Sequence, residues 1–173
     1  MRWTRGGRVA GAMLATWLAG TGVALGQEPR PIAVEGAVGW AGFVDDATQH
    51  HAVFGIGVRV PIGQRLSDGP EVVGMIGPAT DRDLFVLGSL WLDLGPSPVT
   101  ARVVPFVVAG GGYMRHSDRF ANGRYASGEG SFTAGGGVRA RVTDRIHVGG
   151  DVRLGWELHL RAVGFVGVTW PRR

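Results

Sequence analysis

The chain has 173 residues, 31 glycines, no cysteine and a formal net charge of +4. That length fits one domain, and the glycine content is far above the usual share of about 7%. Lack of cysteine excludes disulfides, thiolate metal sites and cysteine nucleophiles. A charged fraction of only 18% argues against intrinsic disorder.

The first element is a targeting segment. Arg2, Arg5 and Arg8 form a basic start, residues 9–23 are mainly apolar and small, and Ala24-Leu25-Gly26 places small residues at a cleavage site before Gln27. This layout predicts a secretory signal peptide at residues 1–26 and a single mature domain at 27–173. All 18 basic residues are arginine. Setting aside the three in the leader leaves 15 basic against 14 acidic residues, close to neutral and dispersed along the chain. No nucleic-acid partner is expected of such a surface.

The mature part lacks a helical membrane span. No uncharged run exceeds the twelve residues of 103–114, which contain Pro105 and three glycines; a spanning helix needs about 20 apolar residues. The dominant pattern is a two-residue alternation, the period of a strand with one apolar face. Residues 32–44 set Ile32, Val34, Val38 and Trp40 against Ala33, Glu35, Ala37, Gly39 and Ala41. Residues 52–62 set Phe54, Ile56, Val58 and Val60 against Val53, Gly55, Gly57 and Arg59. In 132–142, Phe132, Val138 and Val142 oppose Thr133, Gly135, Gly137, Arg139 and Arg141. In 146–156, Ile146, Val148, Val152, Leu154 and Trp156 oppose His147, Asp151 and Arg153.

Segments 84–94, 102–113 and 159–170 alternate less cleanly, so their phase stays open, and 71–77 reads as a short eighth strand. Connections at 45–51, 78–83, 115–131 and 157–158 then belong to one end, and those at 63–70, 95–99 and 143–145 to the other. The repeat of about 18 residues per strand and connection suits strands of about 9–11 residues tilted through a bilayer. The small residues would fill a narrow lumen and the large ones face lipid. The expected fold is an all-β, eight-stranded antiparallel up-and-down transmembrane barrel. On this reading Val138→Arg is costly, whereas Gly137→Ser, on the lumen row, is mild. Trp40 and Trp156 would sit near the outer rim, with Trp91 and Trp170 near the inner rim, as an aromatic girdle.

Residues 105–113 (PFVVAGGGY), 132–139 (FTAGGGVR) and the tight turn Thr143-Asp144-Arg145 carry a family likeness. The chain resembles the small outer-membrane β-barrel domain proteins, similar in outline to the OmpA-type and OmpW-type eight-stranded barrels. The resemblance implies export to the bacterial outer membrane, with lipid and lipopolysaccharide as surroundings and the barrel-assembly machinery as a partner in biogenesis. Family members often end on an aromatic residue, and here Trp170 stands nearest the end, before Pro171-Arg172-Arg173. No peptidoglycan-binding domain follows, so an anchoring role is not expected.

The alternation places Glu35, Arg59, Arg139, Arg141, Asp151 and Arg153 in the lumen, with Asp93 and Arg161 as additions. Buried charges must pair or stay hydrated. They form either a salt-bridge plug or the lining of a narrow solute channel, and an eight-stranded interior, which side chains alone can fill, favours the plug. His50-His51 and His116 read as solvated loop residues. No spacing completes a metal site, and no metal or cofactor is expected. His116-Ser117-Asp118 holds the residue types of a hydrolase triad, but consecutive residues cannot assemble its geometry, so no enzymatic activity is expected. The connection 115–131 offers Arg115, His116, Arg119, Phe120, Arg124 and Tyr125 as candidates for gripping phosphates or a surface partner. A monomeric structural or surface-interaction barrel is the leading reading. A narrow channel and a soluble periplasmic β-barrel binder are the alternatives.

Overall fold

The computed structural model describes residues 30–43, 49–95, 101–120 and 123–170. The expected signal peptide lies outside the described residues. Eight strands follow one another: β1 (Ile32–Phe43), β2 (Gln49–Pro61), β3 (Leu66–Ile76), β4 (Arg82–Asp93), β5 (Val103–Phe120), β6 (Gly123–Arg141), β7 (Ile146–Gly155) and β8 (His159–Trp170). Each pairs antiparallel with its sequence neighbour, and β1 meets β8 from Ile32 opposite Trp170 to Phe43 opposite His159. The result is a closed up-and-down barrel. Closure pairs the backbone groups that an open sheet would leave unmet at its edges.

Turn chemistry fixes the end that carries the termini. In the 142–145 turn, Val142 N donates to Ile146 O at 2.9 Å, while Thr143 Oγ1 accepts from the amides of Arg145 and Ile146 at 3.2 and 3.0 Å. In the 62–65 turn, Ile62 N donates to Leu66 O at 3.0 Å. At the opposite end, Gly77 N donates to Asp81 O at 3.0 Å across the β3–β4 turn. Glu157 and Leu158 take φ of 60° and 43° in the β7–β8 turn. Gly155 pairs with His159, so the connection is the three residues Trp156–Leu158, two of them in the left-handed region that glycine and asparagine usually occupy.

The structure corrects three boundaries. Strand β3 begins at Leu66, so residues 66–70 belong to the sheet instead of a connection. His50 and His51 are in β2. The supposed long loop 115–131 is a continuation of the β5–β6 hairpin, paired from Arg115 opposite Gly128 to Phe120 opposite Gly123. Asn122-Gly123 is a strong hairpin-turn signal, and alternation of mixed polar residues gave no reason to end the strands earlier.

The outward face carries Val38, Phe54, Ile56, Val138, Val152, Leu154 and Val166, all exposed. Inside, Met75, Phe85, Leu87, Trp91, Phe106 and Met114 are fully buried. The lumen is therefore not lined only by small residues. Both faces of β4 are apolar in sequence, and the register settles the phase: Asp83, Phe85, Leu87, Ser89, Trp91 and Asp93 point in.

Candidate functional site

Inward residues of β4, taken from its Asp93 end to its Asp83 end, mark out a stack of levels along the barrel axis. At the terminal end, Asp93 collects Arg30 (Nη2–Oδ2 2.8 Å) and Arg139 (Nη2–Oδ1 3.1 Å), with Arg59 Nη1 3.9 Å from Oδ1. Arg59 also holds Glu35 (Nε–Oε1 3.1 Å), which His147 Nε2 meets at 2.8 Å. Two carboxylates thus tie together residues of β1, β2, β4, β6 and β7. Arg141 stands at the rim, beside Arg102 and Asp144, on a cavity of about 200 Å³ that opens at this end.

The next level is apolar. Trp91, Phe106, Val108 and Phe165 pack as one buried cluster. The Arg59 guanidinium lies 4.7 Å from the Trp91 ring centre and 5.1 Å from that of Phe106, a cation–π arrangement inside a desolvated core. Trp91 is 2% exposed. It therefore leaves the expected girdle: β4 presents Leu90 and Leu92 outward and turns Trp91 into the lumen. Trp40, Trp156 and Trp170 do face outward.

The middle level is a second charge cluster. Arg153 grips Glu71 through two bonds of 2.7 and 3.0 Å and Asp151 through two of 3.0 and 2.9 Å. Ser89 Oγ donates to Glu71. Arg161, 2% exposed, lies within the field of Arg153, Glu71 and Asp151. The space left among these groups is about 30 Å³, room for a water or two. A second apolar layer, built on Val53, Met75, Phe85, Leu87 and Met114, lies beyond it.

The hairpin mouth closes the stack. His51, Asp81 and Asp83 converge there, with His116 beside both carboxylates. His159 is buried below, its Nδ1 donating to Trp156 O at 2.7 Å. His51 is 2% exposed, which corrects its reading as a solvated loop residue: strand alternation sends it inward and His50 outward. In the β7–β8 turn, the Glu157 carboxyl is pushed up to about 7, first by desolvation and then by its hydrogen bond to, and repulsion from, Glu129.

Of the eight sequence-assigned lumen charges, Glu35, Arg59, Asp93, Arg139, Asp151, Arg153 and Arg161 occupy inward positions, and Arg141, on the same row as Arg139, is exposed at the rim. Sequence reading missed Glu71, which stood as the first residue of the short strand 71–77 with no face assigned, and also missed the pairing role of His147, which alternation had already put on the Asp151–Arg153 face. Of the hairpin candidates, Arg119 and Arg124 are brought opposite one another, and with Thr80, Arg82, Ser117 and Asp118 they line a cavity of about 140 Å³. Thr80 Oγ1 donates to Asp118 Oδ1 at 2.7 Å. Arg115 is exposed on the outer face, apart from them, and His116 turns inward to Asp83 at 2.7 Å. Tyr125 is exposed, its ring 6.0 Å from that of His116. The side chain of Phe120 and residues 121–122 lie outside the described residues.

No family model and no curated protein sequence matches the chain. Among solved structures it is similar to the N-terminal β-barrel domain of Pseudomonas aeruginosa OprF, at 10% identity and a TM-score of 0.67, covering 83% of this chain and 100% of that one. It is similar to Neisserial surface protein A, NspA, at 12% identity and a TM-score of 0.67, covering 81% and 96%. Ail, the attachment invasion locus protein of Yersinia pestis, follows at 8% identity and a TM-score of 0.51, covering 80% and 95%. Identities this low speak to the fold alone. The chain has the closed eight-stranded antiparallel barrel fold of these small outer-membrane proteins.

Proposed function

We propose that the chain is a non-enzymatic, integral outer-membrane barrel with a closed lumen, exported by its N-terminal segment and serving a structural or surface-interaction role. One observation carries this reading: an exposed apolar belt surrounds an interior that charge clusters and aromatic layers fill. Val38 is 70% exposed and Leu154 59%, values that only lipid makes favourable over a continuous surface. The belt counts against a soluble periplasmic binder. The Arg59–Trp91–Phe106 stack and the Arg153–Glu71 pair count against a conducting path.

The terminal end, with its short turns, is then periplasmic, and the β5–β6 hairpin is extracellular. Arg115, Arg119, Arg124 and Tyr125 supply cationic and aromatic groups for lipopolysaccharide phosphates or a surface partner. Trp170 supplies the aromatic residue for the assembly machinery. The test is fractionation with gel mobility: the mature chain should accompany outer membranes, migrate faster unboiled than boiled, and conduct no small solutes in liposomes. Recovery in the soluble periplasm overturns the membrane reading, and solute flux overturns the plug in favour of a channel. Trypsin added to intact cells should cut at Arg119 or Arg124; cutting only after permeabilisation would invert the orientation.

A further inference from the structure

Four side chains meet at the hairpin mouth from separate parts of the fold. His51 is the third residue of β2, Asp81 ends the β3–β4 turn, Asp83 is the second residue of β4, and His116 lies directly opposite Asp83 on β5. His51 Nε2 is 2.8 Å from Asp81 Oδ2 and 3.8 Å from Asp83 Oδ2. His116 Nδ1 is 2.7 Å from Asp83 Oδ1 and 3.5 Å from Asp81 Oδ1. The cluster is thus a ring in which imidazole and carboxylate donors alternate.

Tetrahedral zinc with bonds of about 2.0–2.1 Å to nitrogen and oxygen keeps its ligand atoms about 3.3 Å apart. His51, Asp81 and Asp83 each offer a ligand atom within 4.8 Å of the others, and His51 Nε2 stands 2.8 and 3.8 Å from Oδ2 of the two carboxylates, on either side of that spacing; His116 Nδ1 meets their Oδ1 atoms at 2.7 and 3.5 Å as the fourth donor. Charge points the same way. Two neighbouring carboxylates bring a charge of −2 to one spot, which a single divalent ion balances. Without one, the carboxylates share too few donors: Asp81 Oδ1 is buried and accepts no hydrogen bond among the described residues. His51 Nδ1 has no polar partner either, which leaves Nε2 as its working atom.

A further observation concerns space. A Cβ added to Gly77 would collide with His51 Nε2 and come within 2.8 Å of Asp81 Oδ2. The absent side chain therefore keeps one flank of the two donor atoms clear. His116 keeps the cluster in reach of solvent, since its side chain is 30% exposed, against 2% for His51.

We propose that His51 Nε2, Asp81, Asp83 and His116 Nδ1 form a binding site for a divalent transition-metal ion of the zinc class at the mouth of the barrel. Two imidazoles with two carboxylates suit Zn²⁺ or Co²⁺ better than Mg²⁺ or Ca²⁺, which demand more oxygen ligands. Binding would join β2, β4, β5 and the β3–β4 turn across the mouth. The site stands independently of the membrane role, because its geometry needs only the folded barrel.

The test uses the chain folded in detergent micelles, treated with EDTA and dialysed, then titrated with ZnCl₂ by calorimetry and with CoCl₂ by visible absorption. The expected result is one equivalent of Zn²⁺ and the intense visible bands of four-coordinate Co²⁺. Asp81→Asn should weaken Zn²⁺ binding by about 100-fold or more. Gly77→Ala should weaken it while leaving all four donors in place. His50→Ala should bind as the parent does, since His50 faces outward and accepts from Trp40 Nε1 at 3.1 Å. Each variant is checked for the faster unboiled gel migration, and Asp81 and Gly77, both in a turn, give usable proteins if changes at His51 or Asp83 prevent folding. No saturable Zn²⁺ uptake by the parent would overturn the proposal. Equal uptake by parent and Asp81→Asn would do so as well, as would Co²⁺ bands of a six-coordinate ion.

Discussion

Two walls of the barrel fill the lumen in opposite ways. Strands β3–β5 send in bulk: Met75, Phe85, Leu87, Trp91, Phe106, Val108 and Met114. Strands β6–β8 send in glycine and arginine: Gly135, Gly137, Gly149, Gly155, Arg139, Arg153 and Arg161. Phe165 is an apolar exception on the second wall, and it lies where a side chain at Gly149 would have to be. Glu71 and Asp93 on the bulky wall meet Arg153 and Arg139 on the glycine wall, where Asp151 adds a second acid beside Arg153. An eight-stranded barrel has just enough interior for its side chains. Here that space is shared unevenly, large against small, with two acids of one wall reaching arginines of the other, so the lumen acts as an interface between two parts of one sheet.

The largest break in this comparison should come from Glu71→Ala. It removes the cross-lumen partner of Arg153 in the middle of the barrel, and loss of one member of a buried pair costs about 3–5 kcal/mol. Denaturant unfolding in detergent would measure it; a loss below about 1 kcal/mol, typical of exposed pairs, would show that charge does not couple the walls. Val138→Arg on the lipid-facing side of the glycine wall should cost about 2–4 kcal/mol in lipid vesicles. Gly137→Ser, expected from alternation to be mild, should instead cost about 1–3 kcal/mol in the same assay. A Cβ at Gly137 would strike the backbone of Gly150 and come within 2.8 Å of Asp151 Cα, so this row is small because strands approach closely, not because the lumen has room.

A spectroscopic test sharpens the assignment of Trp91 to the bulky wall. In brominated lipid, single-tryptophan variants retaining Trp40, Trp156 or Trp170 should be quenched, and one retaining Trp91 should not. The smallest effect concerns the mouth. The Glu157 carboxyl, raised from 4.5 to about 7, keeps its proton in the folded state over a range where the unfolded chain has lost it. Stability of the β7–β8 turn should therefore rise as pH falls from above 7 toward 4.5, and Glu129→Gln should lower the midpoint. A carbon-detected NMR titration of Glu157 reads it; a midpoint near 4.5 in the parent would contradict the contact with Glu129.

Strand count and closure were legible because four segments alternate cleanly over ten or more residues. Their phase carried Glu35, Arg59, Asp151 and Arg153 inward with it. The bulky wall was not legible. Residues 84–94 are apolar on both faces, and hydropathy cannot tell a face that meets lipid from one that meets aromatic rings. Only register against β3 and β5 turns Trp91 in. The metal-type cluster was hidden for another reason: His51, Asp81, Asp83 and His116 have no common spacing in sequence, and the barrel's pairing brings them together.

The hairpin has one more consequence. Strand β6 pairs with β7 only from Thr133 onward, although it begins at Gly123. For the ten residues before that junction its far edge has no neighbouring strand among the described residues, over a length of about 34 Å at the usual rise per residue. A ribbon of this length with an open edge is the geometry to which a passing extended peptide adds itself. The residues along it counter that tendency: Arg124 and Glu129 place charge on the edge, and Gly123, Gly128 and Gly130 deny a partner side chains to pack against. The same sparse composition leaves the main-chain groups along that edge open to solvent.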